Sequence, residues 1–145
     1  KNCNLLIPKK VSFSKEDLSL LDRFKDSFNR LINYIDNQDL NSYMNFIVES
    51  LFAANKYFND QEPWNKKSDT QRLNTIVYVS LEIIRKISIM LYPIIPSSSL
   101  KALKIFNIQE KDIKFDSIKN HNQLIINNKI NKIDILFKKI DNKND

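Results

Sequence analysis

The sequence predicts an all-α protein, a helical bundle followed by a short irregular or extended C-terminal segment. Three observations carry that reading. Apolar residues recur at steps of three and four along three long stretches between Leu18 and Leu91, the spacing that puts them on one face of an α-helix. The stretches are separated by Asn37-Gln38-Asp39, by Pro63 and by Pro93, residues that favour turns or end helices. A chain of 145 residues, 42% of them hydrophobic, is long enough to bury one sizeable core without disulfide or metal.

Residues 1–11 read as an incoming connector with a turn at Pro8-Lys9-Lys10. Ser14 offers an N-cap, and Glu16 and Asp17 suit the first turn of a helix, where the dipole favours negative charge. Its stripe is Leu18, Leu21, Phe24, Phe28, Leu31, Ile32 and Ile35. A second helix, capped by Asp39 or Asn41, carries Leu40, Tyr43, Met44, Ile47, Leu51, Ala54, Tyr57 and Phe58, and ends near Asn59-Asp60. A third carries Leu73, Ile76, Val77, Ile83, Ile84, Ile87, Met90 and Leu91, and Tyr92-Pro93 stops it. Ser97, Ser98 and Ser99 are candidate caps of a short fourth helix reaching about Ile105. Within the predicted bundle, Leu21, Phe24, Phe28, Ile47, Leu51, Ile76, Ile84 and Ile87 are expected to be buried together.

After Phe106 the helical period weakens. Leu124-Ile125-Ile126 and Ile133-Asp134-Ile135-Leu136-Phe137 read as short strands or buried extended runs. The expected division is a bundle over residues 1–106 and an extension over 107–145 that packs back on it, with Leu136 and Phe137 against the helices.

Composition excludes several classes of function. There is no glycine where average usage would supply about ten, so no glycine-rich phosphate loop exists, and turns with positive φ fall to Asn or Asp. The lone Cys3 excludes an internal disulfide and a cysteine-built zinc site. His121 is the only histidine, set between Asn120 and Asn122 in an expected solvated loop, so no histidine metal cluster forms. Glu16 and Asp17 read as a first-turn charge pair, not as an acid–base dyad. A net charge of +6 permits a polyanionic partner without demonstrating one. No apolar run is long enough to span a membrane, and no signal peptide opens the chain. The expected setting is a reducing, cytoplasmic one. The chain starts at Lys1, not Met, and reads as the tail of something longer. Catalysis within these residues is not expected; what is left is a binding module.

Its informative stretch is Phe52-Ala53-Ala54-Asn55-Lys56-Tyr57-Phe58-Asn59-Asp60-Gln61-Glu62-Pro63-Trp64. A helix ends, a short polar link follows, and a proline fixes φ just before the only tryptophan. Two roles suit such a ring. It plugs the end of the bundle as a core residue, the commoner use, or it stands out and stacks on unpaired RNA bases.

This stretch resembles the helix-to-turn signature of methionyl-tRNA synthetases: Ala-Asn-x-Tyr, a few polar residues, then Pro-Trp followed by lysines. The likeness continues in order along the chain. Leu73 to Pro96, with Leu81, Ile84, Leu91, Pro93, Ile95 and Pro96, resembles the family's next helix and its closing Pro-x-x-Pro element. Lys129 to Ile140 resembles its terminal Leu-Phe-x-x-Ile segment, and Lys1-Asn2-Cys3-Asn4 the end of the helix that opens its anticodon domain. Where the family often has a glycine before the terminal segment, this chain has Asn122, Asn127 and Asn128.

The resemblance implies a helical anticodon-binding domain of a ligase that attaches methionine to its tRNA using ATP. It matches Trp64, presented by Pro63, to the family's anticodon-stacking position, and Asn55 to the same motif; Lys66 and Lys67 are the candidate phosphate contacts. An asparagine and an arginine that the family carries on its opening helix would precede Lys1. So would the catalytic domain, the cis partner that uses ATP with magnesium; no cofactor or metal is expected in these residues. The alternatives are a free-standing helical RNA- or tRNA-binding adaptor and a structural module whose exposed stripe docks a partner helix.

Overall fold

The computed structural model describes residues 4–132. Five α-helices form the bundle: α1 (Lys15–Asp26), α2 (Phe28–Asp36), α3 (Leu40–Gln61), α4 (Thr70–Leu91) and α5 (Pro96–Lys104). Single 3-10 turns follow α3 (Pro63–Asn65) and lie in the C-terminal segment (Glu110–Asp112 and Phe115–Lys119). Among the described residues there is no β-strand, only an isolated antiparallel bridge between Leu6 and Lys129. The all-α expectation holds. Among the described residues no helix is long and apolar enough to cross a membrane.

The helix starts follow side-chain chemistry. Ser14 caps α1 in a reciprocal capping box in which Asp17, not Glu16, returns the bond to the cap backbone. Asp39 caps α3 through the Ser42 amide, and Asp69 caps α4 through the Arg72 amide. The three serines at the front of α5 are not caps: Pro96 occupies its first position and Ile95 precedes it, as suits a residue with no N–H to satisfy. The predicted first helix is two, because Ser27 interrupts it.

The main core gathers Leu21, Phe24, Leu31, Tyr43, Phe46, Ile47, Ile76, Val79, Ile83 and Met90 from four helices, with Ile118 of the C-terminal segment fully buried among them. A second cluster joins Ile7 and Leu124 to Tyr78 and Phe106. Of the expected core residues, Leu21, Phe24, Ile47, Ile76 and Ile87 are buried and Phe28 is partly so. Leu51 and Ile84 are not. They are 44% and 45% exposed, because Ser50 and Ile83, one position earlier, take the inward places. Ser50 satisfies its hydroxyl there by donating to the Phe46 carbonyl (2.7 Å) and accepting from Arg23 Nε (3.0 Å). Leu18 is exposed for the same kind of reason: Asp17 beside it is drawn inside by charge partners.

α4 is the central helix. Glu82, Arg85 and Lys86 are all buried, an arrangement that is costly unless each charge is paired and hydrogen-bonded. Glu82 Oε2 accepts from Arg85 Nε (2.8 Å), while its Oε1 accepts the Gln123 and Leu124 amides (2.7 and 2.8 Å). Arg85 donates to the Ser117 hydroxyl and carbonyl and to the Asn120 carbonyl. Lys86 donates to the Ile118 carbonyl. His121, expected in solvent, is instead drawn in: its Nδ1 lies 3.3 Å from Lys86 Nζ and its Nε2 2.9 Å from Asp22 Oδ1. The tautomer with the proton on Nε2 satisfies both contacts. Residues 117–124 are thus fastened by the charges of α4. Ile125 and Ile126, by contrast, are exposed, and Leu136 and Phe137 lie outside the described residues.

Without glycine, six of the described residues take positive φ. Asn4, Asn107 and Asn127 are of the expected type, but Leu5, Gln38 and Glu62 are not, and such residues pay roughly 1–2 kcal/mol for that conformation.

Ile76→Ala should cost about 2–5 kcal/mol through lost transfer energy and a cavity, whereas Leu51→Ala should cost under about 1 kcal/mol; denaturant midpoints at constant m-value check both. Burial, with Arg85 beside it, lowers the Lys86 ammonium to about 7 from an ordinary 10.5. Between those pH values the unfolded chain binds more protons than the folded one, so stability should rise as pH increases from about 7 to about 10. Lys86→Met should flatten that rise in denaturation measured at pH 7 and pH 9.5.

Candidate nucleic-acid interface

The link between α3 and α4 is built from local rules. Pro63 has no N–H to continue α3, and a residue before proline avoids the right-handed helical region. Glu62 accordingly turns left-handed (φ 45°, ψ 57°) and closes α3 through its amide to the Asn59 carbonyl. Pro63 then starts the 3-10 turn that carries Trp64. Asn65 donates to the Glu62 carbonyl (2.9 Å), and Lys66 to the Pro63 carbonyl (3.2 Å). Asp69 ends the link by capping α4.

Pro63 is buried against the bundle, and Trp64 is 49% exposed. The indole therefore does not plug the core. It leans on Phe58 of α3, ring centroids 6.2 Å apart at 59°, with its remaining surface in solvent. Lys66 is half-buried and Lys67 exposed. The structure thus gathers Pro63, Trp64, Lys66 and Lys67 in one hairpin. Asn55 stands apart from the lysines: it is exposed on α3, a turn before Phe58, and lines an open apolar groove with Leu51, Phe58 and Ile84. Phe58, which the helical spacing had assigned to the core stripe, is 39% exposed and joins the groove to the tryptophan.

Beneath the hairpin lies a polar cluster. Asp17 is fully buried and accepts from Arg72 Nη1 (2.6 Å) and Nη2 (2.9 Å), from the Tyr57 hydroxyl (2.6 Å) and from the Ser14 amide (2.9 Å). Burial alone would raise the Asp17 carboxyl, yet the hydrogen bonds from Arg72 and Tyr57 outweigh it and hold the group below its ordinary value. Arg72 also donates to the Gln61 side chain. The capping pattern marked Asp17 as a helix start, but Tyr57 and Arg72 are 40 and 55 residues away, so no local spacing revealed that it is buried. Among the described residues no group of three or more His, Cys, Asp or Glu side chains is placed to hold a metal ion.

A family model described as the anticodon binding domain of methionyl tRNA ligase matches residues 7–145. The chain belongs to that family. It is 33% identical over 119 residues to the methionine–tRNA ligase of Brucella suis, covering 81% of this chain and 23% of that protein. It is 33% identical over 132 residues to the one from Thermotoga maritima, covering 88% of this chain and 20% of that protein. The domain thus spans about a fifth of the length of these relatives. The crystal structure of the free form of Mycobacterium tuberculosis methionyl-tRNA synthetase superposes with a TM-score of 0.88 at 24% identity, over 97% of this chain and 29% of that one. At that identity the likeness speaks for the fold, the same helical arrangement.

Since Trp64 is the only tryptophan and stands half in solvent, the domain's intrinsic emission should be red-shifted and readily quenched by acrylamide. Trp64→Ala should change stability by less than about 1 kcal/mol. A blue emission maximum with poor quenching would contradict the geometry of the hairpin.

Proposed function

We propose that this domain recognises the anticodon of methionine tRNA, as part of a ligase that joins methionine to that tRNA using ATP. The observation that carries the reading is an exposed tryptophan, set by a buried proline at a helix-to-helix hairpin, in a chain of this family. In this reading Trp64 stacks on an unpaired base of the CAU anticodon and Pro63 fixes its approach. Lys66 and Lys67 meet phosphates of the loop, and Asn55 offers an amide farther along α3. Unpaired bases suit such a site because every base has a π-face, and the lysines add a sequence-independent attraction.

The chemical step, with ATP and magnesium, belongs to a catalytic domain in cis, and the setting is cytoplasmic. The bundle corresponds to residues 1–106 and the C-terminal extension to residues 107–145, of which residues 117–124 pack on α4. One observation favours this over a free-standing adaptor. The outer face of α3 exposes Val48, Leu51, Phe52 and Phe58, and Leu51 and Phe58 line one apolar groove with Ile84 of α4, the kind of surface that marks a contact site. Attachment to further parts of the same polypeptide would cover it.

The test is a titration with a stem-loop RNA bearing CAU and with one whose loop is scrambled. The CAU loop should bind more tightly. Trp64→Ala should weaken it about tenfold to a hundredfold, the equivalent of one lost base stack. Replacing both Lys66 and Lys67 with Ala should weaken both RNAs alike and lower the salt slope by about 1.4, near 0.7 per single-strand phosphate. Equal binding of the two loops, unaffected by Trp64→Ala, would overturn the reading.

A further inference from the structure

The hairpin that carries Trp64 is held at both ends by one side chain. Arg72 sits in the first turn of α4, three residues after the capping Asp69. Its guanidinium reaches back to Gln61, the last residue of α3, and grips both carboxylate oxygens of Asp17 in α1. Tyr57, one turn before Gln61, donates to the same carboxylate. Three helices therefore meet on one fully buried anion, and the segment between Gln61 and Arg72 contains the left-handed Glu62, Pro63 and Trp64.

A left-handed glutamate persists only where its surroundings over-determine it. Here the backbone bonds of the turn and the Arg72–Gln61 contact supply that constraint. A ring already held in its bound orientation loses less conformational freedom on binding than one on a loose hairpin.

We propose that Arg72 is a positioning residue for RNA recognition. Through Asp17 and Gln61 it fixes the ends of the hairpin so that the Trp64 indole is pre-oriented for a base. The proposal rests on the reading of Trp64 as a stacking residue. Lysine cannot replace Arg72 here: a single ammonium cannot serve a carboxylate in the two-bond fork and a side-chain amide together. Gln61 isolates the effect, because it is partly exposed and its removal leaves the Arg72–Asp17 pair and the buried carboxylate satisfied.

The experiment compares the full chain with Gln61→Ala, Arg72→Lys, Trp64→Ala and the Gln61→Ala/Trp64→Ala double variant, below the melting transition of each. Binding of the CAU stem-loop is read from a dye on the RNA, and motion of Trp64 in the free protein from its fluorescence anisotropy decay. Gln61→Ala should melt with the parent, yet bind about fivefold more weakly, a loss that corresponds to about one stabilising contact. Arg72→Lys should bind more weakly still, and both should show a faster-moving indole. The double variant should bind no more weakly than Trp64→Ala alone, because Gln61 acts through the ring. Parental affinity in Gln61→Ala, or a loss that adds in full to that of Trp64→Ala, overturns the positioning role and leaves the stacking reading standing. Parental affinity in Trp64→Ala removes both.

Discussion

α4 is covered on nearly every side, and that constraint shapes the rest of the domain. A helix so placed has to bury residues around its whole circumference, and three of them, Glu82, Arg85 and Lys86, are charged. The Glu82–Arg85 pair (2.8 Å) by itself would leave a carboxylate oxygen, several guanidinium protons and an ammonium without partners. The irregular segment after α5 supplies them from its own backbone, through the amides of Gln123 and Leu124 and the carbonyls of Ser117, Ile118 and Asn120. This explains how residues with little helical character lie firmly on a helical bundle. An irregular backbone of single turns keeps amides and carbonyls available, whereas a long helix has spent most of its own within itself.

The same logic governs the other end of α4. Asp17 is the buried anion there, Arg72 its cation, and the elements joined are α1, α3 and the first turn of α4. The C-terminal half of the central helix thus fastens the C-terminal segment, and its first turn fastens the tryptophan hairpin. With the neighbouring helix ends pinned, Trp64 is able to stand in solvent beside Phe58 without the hairpin collapsing onto the apolar face of α3. The proposed stacking needs such a ring, exposed and yet ordered.

How much of this was legible in the sequence differs by residue. Helix existence and most boundaries were, because periodicity, prolines and caps are local signals; α3 runs to Gln61 and α4 stops at Leu91, next to the residues expected to end them. The face of each helix was less legible. Leu51 and Ile84 fit an apolar stripe as well as their neighbours do, and only the tertiary partners of Ser50 and the packing of Ile83 turn them outward. Charged residues were least legible. Lys86, Arg85 and His121 are buried or half-buried by contacts with residues 32 to 99 positions away, and no short window of sequence contains both partners. At the candidate site, Pro63 and Trp64 could be singled out because a proline beside the only tryptophan is conspicuous. Phe58, Arg72 and Asp17 carry no such mark.

In the proposed role the Trp64 ring is held in solvent to receive a base. The most direct measurement is an NMR titration that follows the indole ring protons of Trp64 as a CAU stem-loop is added. Stacking places those protons over an aromatic base, so they should show upfield ring-current shifts that saturate with the RNA and are much smaller with a scrambled loop. Ring protons that stay in place while backbone amides near Lys66 and Lys67 shift with either RNA would contradict that role, reducing the hairpin to a site of non-specific phosphate attraction.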